Sequence, residues 1–142
     1  MGQTIAEALQ AATLYSDDYI YRFIKLPKNG ITAAAGVIAQ AGNPFSALLL
    51  DKDEITLMIE DEDFEQFKKR LLEHEVSEIG YRLITFDVEL EPTLVGFMAH
   101  ISTALAEAGI SLMPFAAYSR DHIFVSEDHF EQAMTILDSL KT

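Results

Sequence analysis

Two acid–histidine pairs near the carboxyl end are the residues whose types could hold a metal ion. Asp121 and His122 are adjacent, and Asp128 and His129 follow a few positions later. Carboxylate oxygens and imidazole nitrogens are both metal ligands. Their spacing fits no standard metal site, however, and alternation along a strand should point His122 away from its neighbours. We therefore expect no metal and no other cofactor.

The turn at 92–96 and the side chain of Asp121 form a second candidate site. Thr93 is a good N-cap residue for the apolar helical pattern that follows it. The free N–H groups at the start of such a helix, at the positive end of its dipole, suit a carboxylate. Gly96 has no Cβ, so a ligand or a partner strand can approach its backbone closely. Asp121 could accept an α-ammonium group.

No pattern in the sequence is typical of a catalytic centre. The chain contains no cysteine and only 7 glycines. A nucleophile paired with a base, a phosphate-binding loop and a pair of facing carboxylates are all missing. The sequence therefore predicts a protein that is not an enzyme.

Composition and charge exclude several classes of partner. The net charge of −13 on 142 residues is opposite in sign to that of most nucleic-acid-binding proteins. Residues 72–142 carry only 3 basic residues against 12 acidic ones. This negative charge either keeps the protein soluble or attracts cationic groups such as an ammonium. The chain has neither an apolar run that could span a membrane nor a signal peptide. We expect a cytoplasmic protein that contacts neither nucleic acid nor membrane.

The hydrophobic pattern of the second half predicts the order β-α-β-β-α. Residues 81–90 alternate between apolar and polar, as in a half-buried strand. Leu94, Met98, Ile101, Leu105 and Ala108 form one helical stripe, and Gly109 is a natural stop after it. Pro114 marks a bulge or an edge in the next strand. The predicted elements are strands over 81–90, 110–118 and 122–125 and helices over 94–108 and 128–140.

The first half repeats this order with an offset near 66 residues. Gln40-Ala41-Gly42 corresponds to Glu107-Ala108-Gly109, and Phe64-Glu65-Gln66 corresponds to Phe130-Glu131-Gln132. A nearly constant offset indicates an internal duplication. The predicted elements of the first half are strands over 19–26, 45–50 and 54–59 and helices over 31–41, ended by Gly42, and 64–72.

Each half lacks one strand of a βαββαβ, ferredoxin-like unit. Residues 76–81 could supply the last strand of the first half. The second half has no residues left for a closing strand. Because a bare sheet edge invites pairing, either the N-terminal segment, where a short helix is plausible, or a neighbouring chain must cover that edge.

Several stretches of the sequence resemble the ACT domains, a superfamily of amino-acid-binding regulatory modules. The stretches are 87–98, 104–112 and 118–125 in the second half and 45–57 in the first. They are similar to the tandem-ACT group that includes aspartokinase regulatory regions and cytosolic arginine sensors. The resemblance implies an α+β fold of two tandem ferredoxin-like ACT units side by side, with antiparallel sheets and helices on one face. We expect an N-terminal helix over 1–16 and ACT-like units over 17–77 and 78–142.

The resemblance also implies a ligand at the interface between ACT units. It further implies that the protein forms a homodimer. Each proposed contact has a plain structural alternative: Val95 as core, Gly96 as a helix-packing residue, Ser119 and Asp121 as hairpin-turn residues. The first-half turn, Lys28 to Thr32, is basic and aligns ambiguously with the second-half turn, which favours a single site at the second-half turn over two equivalent sites. The ligand-binding residues that the resemblance implies are Thr93, Leu94, Val95, Gly96, Phe115, Ser119, Asp121 and Ile123.

The preferred functional hypothesis is a non-catalytic regulatory module. It would bind a small ligand, an amino acid by the resemblance, and pass its occupancy to a partner protein. The alternative is a structural or oligomerisation module without a ligand. The weakest alternative is an acyl-phosphate hydrolase, because such ferredoxin-like enzymes use an arginine in a phosphate-cradling loop and the turn at 91–96 has none.

Overall fold

A computed structural model describes residues 2–41 and 44–141 of the chain. Two compact units form, which we call the first-half unit (Tyr19–Tyr81) and the second-half unit (the described residues of 1–18 and 82–142). Among the described residues, no helix combines the length and apolar character that crossing a membrane requires. In chain order the elements are α1 (Ile5–Ala11), β1 (Thr13–Tyr15), β2 (Tyr21–Leu26), α2 (Ile31–Gln40), β3 (Ala47–Leu50), β4 (Ile55–Glu60), α3 (Asp61–Phe67), β5 (Glu75–Val76), β6 (Tyr81–Asp87), α4 (Phe97–Glu107), β7 (Leu112–Ala116), β8 (Asp121–Ser126) and α5 (Phe130–Ser139).

The first-half unit has the strand order β5-β2-β4-β3. All three pairings are antiparallel, and β5 is the closing strand that the sequence predicts near residue 76. Alternate residues of β2 and β4 face the helices, as a half-buried sheet requires. They form a core with α2 and α3 whose buried members are Ile24, Leu26, Ala34, Val37, Ile55, Leu57, Ile59, Phe64 and Leu71.

The second-half unit has the equivalent order β1-β6-β8-β7, and its fourth strand comes from the N-terminal segment. β1 pairs antiparallel with β6 through Thr13↔Asp87, Leu14↔Phe86 and Tyr15↔Thr85. Of the two ways to cover this edge that the sequence left open, the structure takes the N-terminal one. Both halves therefore have the sheet of a βαββαβ unit, which confirms the predicted ferredoxin-like fold.

The core of the second-half unit lies between its sheet and the helices α1, α4 and α5. Phe97, Ile101 and Leu105 follow one another at four-residue steps on α4 and are buried. The ring of Phe97 packs edge-on against Phe86 of β6, with 5.4 Å between centroids. Ala8 and Leu9 of α1 belong to the same core. The predicted stripe was wrong at Ala108, which is exposed just past the end of α4.

The start of α4 differs from the prediction. Thr93 is not the N-cap, because Glu91 and Leu94 close a turn of their own through a 3.0 Å bond from the Leu94 N–H to the Glu91 carbonyl. The cap is Gly96, with φ +90°, a conformation that glycine adopts without steric cost. The helix therefore begins at Phe97, three residues later than the sequence predicts.

The start of α3 was also predicted too late in the chain. The carboxylate of Glu60 accepts hydrogen bonds from the N–H groups of Glu62 and Asp63, so the helix begins at Asp61 and not at Phe64. Its last turn, Lys68–Arg70, is a 3₁₀ helix. The predicted stop of α2 at Gly42 lies outside the described residues. β7 pairs only with β8 among the described strands, so Pro114 sits on an edge, as predicted.

Candidate functional site

A cavity of 450 Å³ opens in the second-half unit where β6 leads into α4, and we call it the second-half cavity. One wall is the segment after β6 with the first turn of α4. The opposite wall is the hairpin that joins β7 to β8. The lining residues are Leu90, Glu91, Pro92, Leu94, Gly96, Phe97, Met98, Ala99, Ala116, Ala117, Tyr118, Ser119, Arg120 and Asp121.

Backbone hydrogen bonds hold the two walls of this cavity. The Leu90 N–H donates to the Ser119 carbonyl at 2.8 Å, which joins the wall after β6 to the hairpin. Within the hairpin, the Ala117 N–H donates to the Arg120 carbonyl at 3.0 Å. Main-chain hydrogen bonds therefore help to hold the two walls in place.

Asp121 and Arg120, which are neighbours in the sequence, both line the cavity. Asp121 is half-buried, and within the described part of the chain no hydrogen bond or ion pair reaches its carboxylate. Desolvation raises the pKa of Asp121, and the neighbouring His122 lowers it by a smaller amount. The Nε of Arg120 lacks a hydrogen-bond partner among the described residues, with Asp87 Oδ1 3.5 Å away.

The raised pKa of Asp121 contributes to the pH dependence of the stability of the ligand-free protein. A carboxyl whose pKa is raised in the folded state holds its proton more tightly there than in the unfolded chain. Its contribution to stability is thus fully present below the unfolded pKa and is lost as the pH rises through the folded pKa. Near neutral pH, the ionised Asp121 opposes folding slightly, and a cation in the cavity would remove that penalty.

His122 lies behind the cavity, on the other side of the strand from Asp121. Its Nδ1 is 2.8 Å from the Oγ1 of the buried Thr85. Desolvation is the main cause that lowers the pKa of His122, with Arg120 adding to it and Asp121 opposing it. The ring is therefore a neutral part of the sheet near pH 7.

Half of the predicted ligand residues line the second-half cavity, namely Leu94, Gly96, Ser119 and Asp121. Val95 is 85% exposed, which rules out its alternative as a core residue. Phe115 shares a sheet face with His122 and packs edge-on against Phe124, at 5.5 Å between centroids. The remaining two do not line the cavity either: Thr93 is exposed, and Ile123 is wholly buried in the core.

Several cavity residues were not among the predicted ones. Arg120 was interpreted only as part of the hairpin turn, although its position next to Asp121 was a usable signal. Phe97 and Met98 line the wall because α4 begins at Phe97, and that late start depends on the positive φ of Gly96. The sequence does not reveal that α4 starts at Phe97, because Thr93 is also a good N-cap residue.

The first-half turn borders a different cavity, of 510 Å³, which we call the first-half cavity. It lies between the start of α2 and the segment that follows α3, and the hairpin between β3 and β4 does not line it. Its walls therefore do not correspond to those of the second-half cavity. The lining residues are Leu26, Asn29, Gly30, Ala33, Arg70, Leu71, Leu72 and Glu73.

The acid–histidine pairs lie at opposite ends of one strand. Asp121 begins β8, and Asp128 follows its last residue in a 3₁₀ turn, Glu127–His129. At about 3.3 Å per residue the strand keeps the pairs well apart. Within the described ranges, no three His, Asp or Glu side chains come together in a group that could hold a metal.

Comparison with known proteins gives a family match over the second half of the chain and a fold for nearly all of it. Residues 76–139 match the family model of the ACT domain. A protein of unknown function from Vibrio cholerae, described as a possible transport protein, is 29% identical; the match covers 94% of this chain and 93% of that one, with a TM-score of 0.72. No curated protein sequence matches the chain.

Two regulatory parts of aspartate kinases share the fold over nearly the whole chain. The regulatory subunit from Thermus thermophilus, in a ligand-free form, is 16% identical with a TM-score of 0.68, covering 93% of this chain and 99% of that one. A putative C-terminal regulatory domain from Porphyromonas gingivalis is 15% identical with a TM-score of 0.64, covering 90% and 95%. The duplicated architecture is thus that of known regulatory domains.

Proposed function

We propose that this chain is a non-catalytic regulatory module that binds a small amino acid, because residues 76–139 match the ACT-domain family model and the chain has the fold of aspartokinase regulatory regions. The proposed site is the second-half cavity. The observation that carries the proposal is Asp121, a half-buried carboxylate that forms no hydrogen bond or ion pair within the described chain, in a cavity that Arg120 also lines.

Asp121 is the proposed acceptor of the ligand's α-ammonium group. A carboxylate that has lost part of its hydration gains more from a cation than a fully exposed one does. The ammonium would restore the interactions that the desolvated carboxylate lacks. Binding should therefore require the ionised form of Asp121.

Arg120 and the first turn of α4 are the proposed partners of the ligand's carboxylate. The side chain of Arg120 is 42% exposed, and its contact with Asp87, at 3.5 Å, is longer than a good hydrogen bond. A guanidinium therefore has donors to spare for a carboxylate. The free N–H groups at the start of α4, near Phe97 and Met98, add a favourable dipole.

Leu90, Leu94 and Met98 would contact the side chain of the ligand. All three are half-buried and line the same cavity. A volume of 450 Å³ is within the range of about 300–1,000 Å³ for small-molecule sites. The cavity is thus large enough for one amino acid.

Gly96 and Ser119 complete the proposed contacts from the predicted set. The other four predicted residues, Thr93, Val95, Phe115 and Ile123, do not line the cavity, and their roles stay predictions of the resemblance. Assembly into a homodimer, a protein partner that reads the occupancy, and a cytoplasmic location are likewise proposals. The fold shared with aspartate kinase regulatory domains supports the first two of these.

Replacing Asp121 with Asn should abolish ligand-induced stabilisation. A ligand at 100 times its Kd raises the unfolding free energy of the wild type by about 2.7 kcal/mol. Asn keeps the shape but cannot balance the charge of an ammonium, so most of that gain should be lost. The measurement is a thermal-shift screen of the common amino acids, one at a time, on the purified wild type and the Asp121→Asn variant.

Asp128→Asn is the matched control, since Asp128 is an exposed aspartate outside the cavity. It should keep the wild-type shift. Lowering the pH through the raised pKa of Asp121 should reduce the wild-type shift, because protonation removes the negative charge. An amino acid that stabilises both variants equally would place the ligand elsewhere, and no stabilisation by any amino acid would favour the structural module without a ligand.

A further inference from the structure

The residues at the start of α1 contact the wall of the second-half cavity, and we call Gln3, Thr4 and Ile5 the N-terminal clamp. The Gln3 N–H donates to Glu91 Oε2 at 2.8 Å, and the Glu91 N–H donates to Gln3 Oε1 at 3.0 Å. The Gln3 Nε2 also donates to the Glu89 carbonyl at 3.1 Å. The Gln3 side chain thus forms hydrogen bonds with the main-chain carbonyl of Glu89 and the main-chain N–H of Glu91.

Ile5 continues this contact towards Gly96. A Cβ built at Gly96 would lie 3.4 Å from Ile5 Cδ1, so Ile5 packs against the backbone that caps α4. Gly96 also lines the cavity. The wall between Glu89 and Gly96 is therefore held at both ends by the clamp.

The clamp is tied firmly to the rest of the second-half unit on its other side. Thr4 is the N-cap of α1, and it forms a capping box with Glu7 in which each side chain accepts from the other residue's N–H. Ala8 and Leu9 then enter the core. A shift of the clamp would therefore move the start of α1. The strand after α1 is β1, which pairs with β6.

We propose that the clamp regulates the second-half cavity: docking of Gln3 on Glu89 and Glu91 and occupancy of the cavity stabilise each other. The inference rests on the proposed function. Glu91 is the shared element, because it belongs to the cavity wall and exchanges two hydrogen bonds with Gln3. By thermodynamic reciprocity, a ligand that orders this wall tightens the clamp, and an undocked clamp weakens the ligand. Gln3 acts as a positioning residue and does not need to touch the ligand.

Gln3→Ala removes both side-chain hydrogen bonds of the clamp and leaves the bond from the residue 3 N–H to Glu91. Gln10→Ala is the matched control, since Gln10 is an exposed glutamine on α1 of the same segment. Hydrogen exchange of the Glu91 amide is followed by NMR in the full chain, with and without an equimolar mixture of the common amino acids. Half-saturation by the mixture is measured from the thermal shift.

In the wild type, the mixture should slow exchange of the Glu91 amide. Gln3→Ala should speed that exchange and raise the half-saturation concentration by about fivefold or more, which is the lower range of ordinary coupling. Gln10→Ala should behave as the wild type. A merely structural Gln3 would alter stability without moving half-saturation.

The outcomes separate this inference from the proposed function. If the mixture stabilises the wild type but binds Gln3→Ala equally well and leaves Glu91 exchange unchanged, the clamp does not regulate the cavity and the proposed function stands. If the mixture stabilises no variant, the proposed function fails, and the regulatory role of the clamp fails with it.

Discussion

Removing residues 2–16 is expected to destabilise the second-half unit by more than any single substitution in its core. The deletion takes away β1, which covers one edge of β6, together with the buried Ala8, Leu9 and Ala12. Loss of one buried leucine side chain alone costs about 2–5 kcal/mol. The uncovered edge would also present unpaired N–H and C=O groups to other chains. Urea denaturation and amide exchange of β6 would measure the effect.

A synthetic peptide with the sequence of residues 2–16 is the control for this deletion. Added to the truncated chain, it should restore protection of the β6 amides that face β1, whereas a scrambled peptide should not. Wild-type stability and β6 protection in the truncated chain would contradict the assignment of β1 as the closing strand.

Phe97→Ala is expected to cost about 3–5 kcal/mol of unfolding free energy, the usual cost of deleting a buried aromatic ring. Phe97 is 4% exposed, contacts Phe86 edge-on and is the first residue of α4. Its loss leaves a void beneath the wall of the second-half cavity. The measurement is the midpoint of urea denaturation, followed by circular dichroism, together with its slope.

Val95→Ala is the matched control for Phe97→Ala, because Val95 lies two positions earlier and is exposed. Its effect should stay within about 0.5 kcal/mol, as for other surface substitutions. Equal effects of the two substitutions would mean that the helix does not start with Phe97 turned inward, and the description of the cavity wall would have to change.

The duplicated fold was predictable because each half has strong local signals. Three signals each fix one element with little influence from the rest of the chain. They are the alternation in β6, the helical stripe on α4, and Gly109, which is in the left-handed region at φ +74°. The strand that closes the second half was not predictable in this way. Thr13-Leu14-Tyr15 is too short to show a period, and its partner lies some seventy residues away in the sequence.

The candidate site was predictable only in part, for a similar reason. Asp121 was predictable because the local sequence pattern places it in a turn directly before a strand. The contribution of Arg120 and the inward position of Phe97 depend instead on where the hairpin and α4 meet, and that meeting point is set by the φ of Gly96. Contacts of Gln3 with Glu91 join residues 88 positions apart, so no local pattern reports them.

An NMR titration with the amino acid that gives the largest thermal shift tests the central claim most directly, because it locates the ligand. The second-half cavity predicts the largest amide shift changes at Leu94, Gly96, Ser119 and Asp121. Asn29 and Gly30, which line the first-half cavity, should change little. Changes centred on Asn29 and Gly30, with Ser119 and Asp121 unmoved, would contradict the claim.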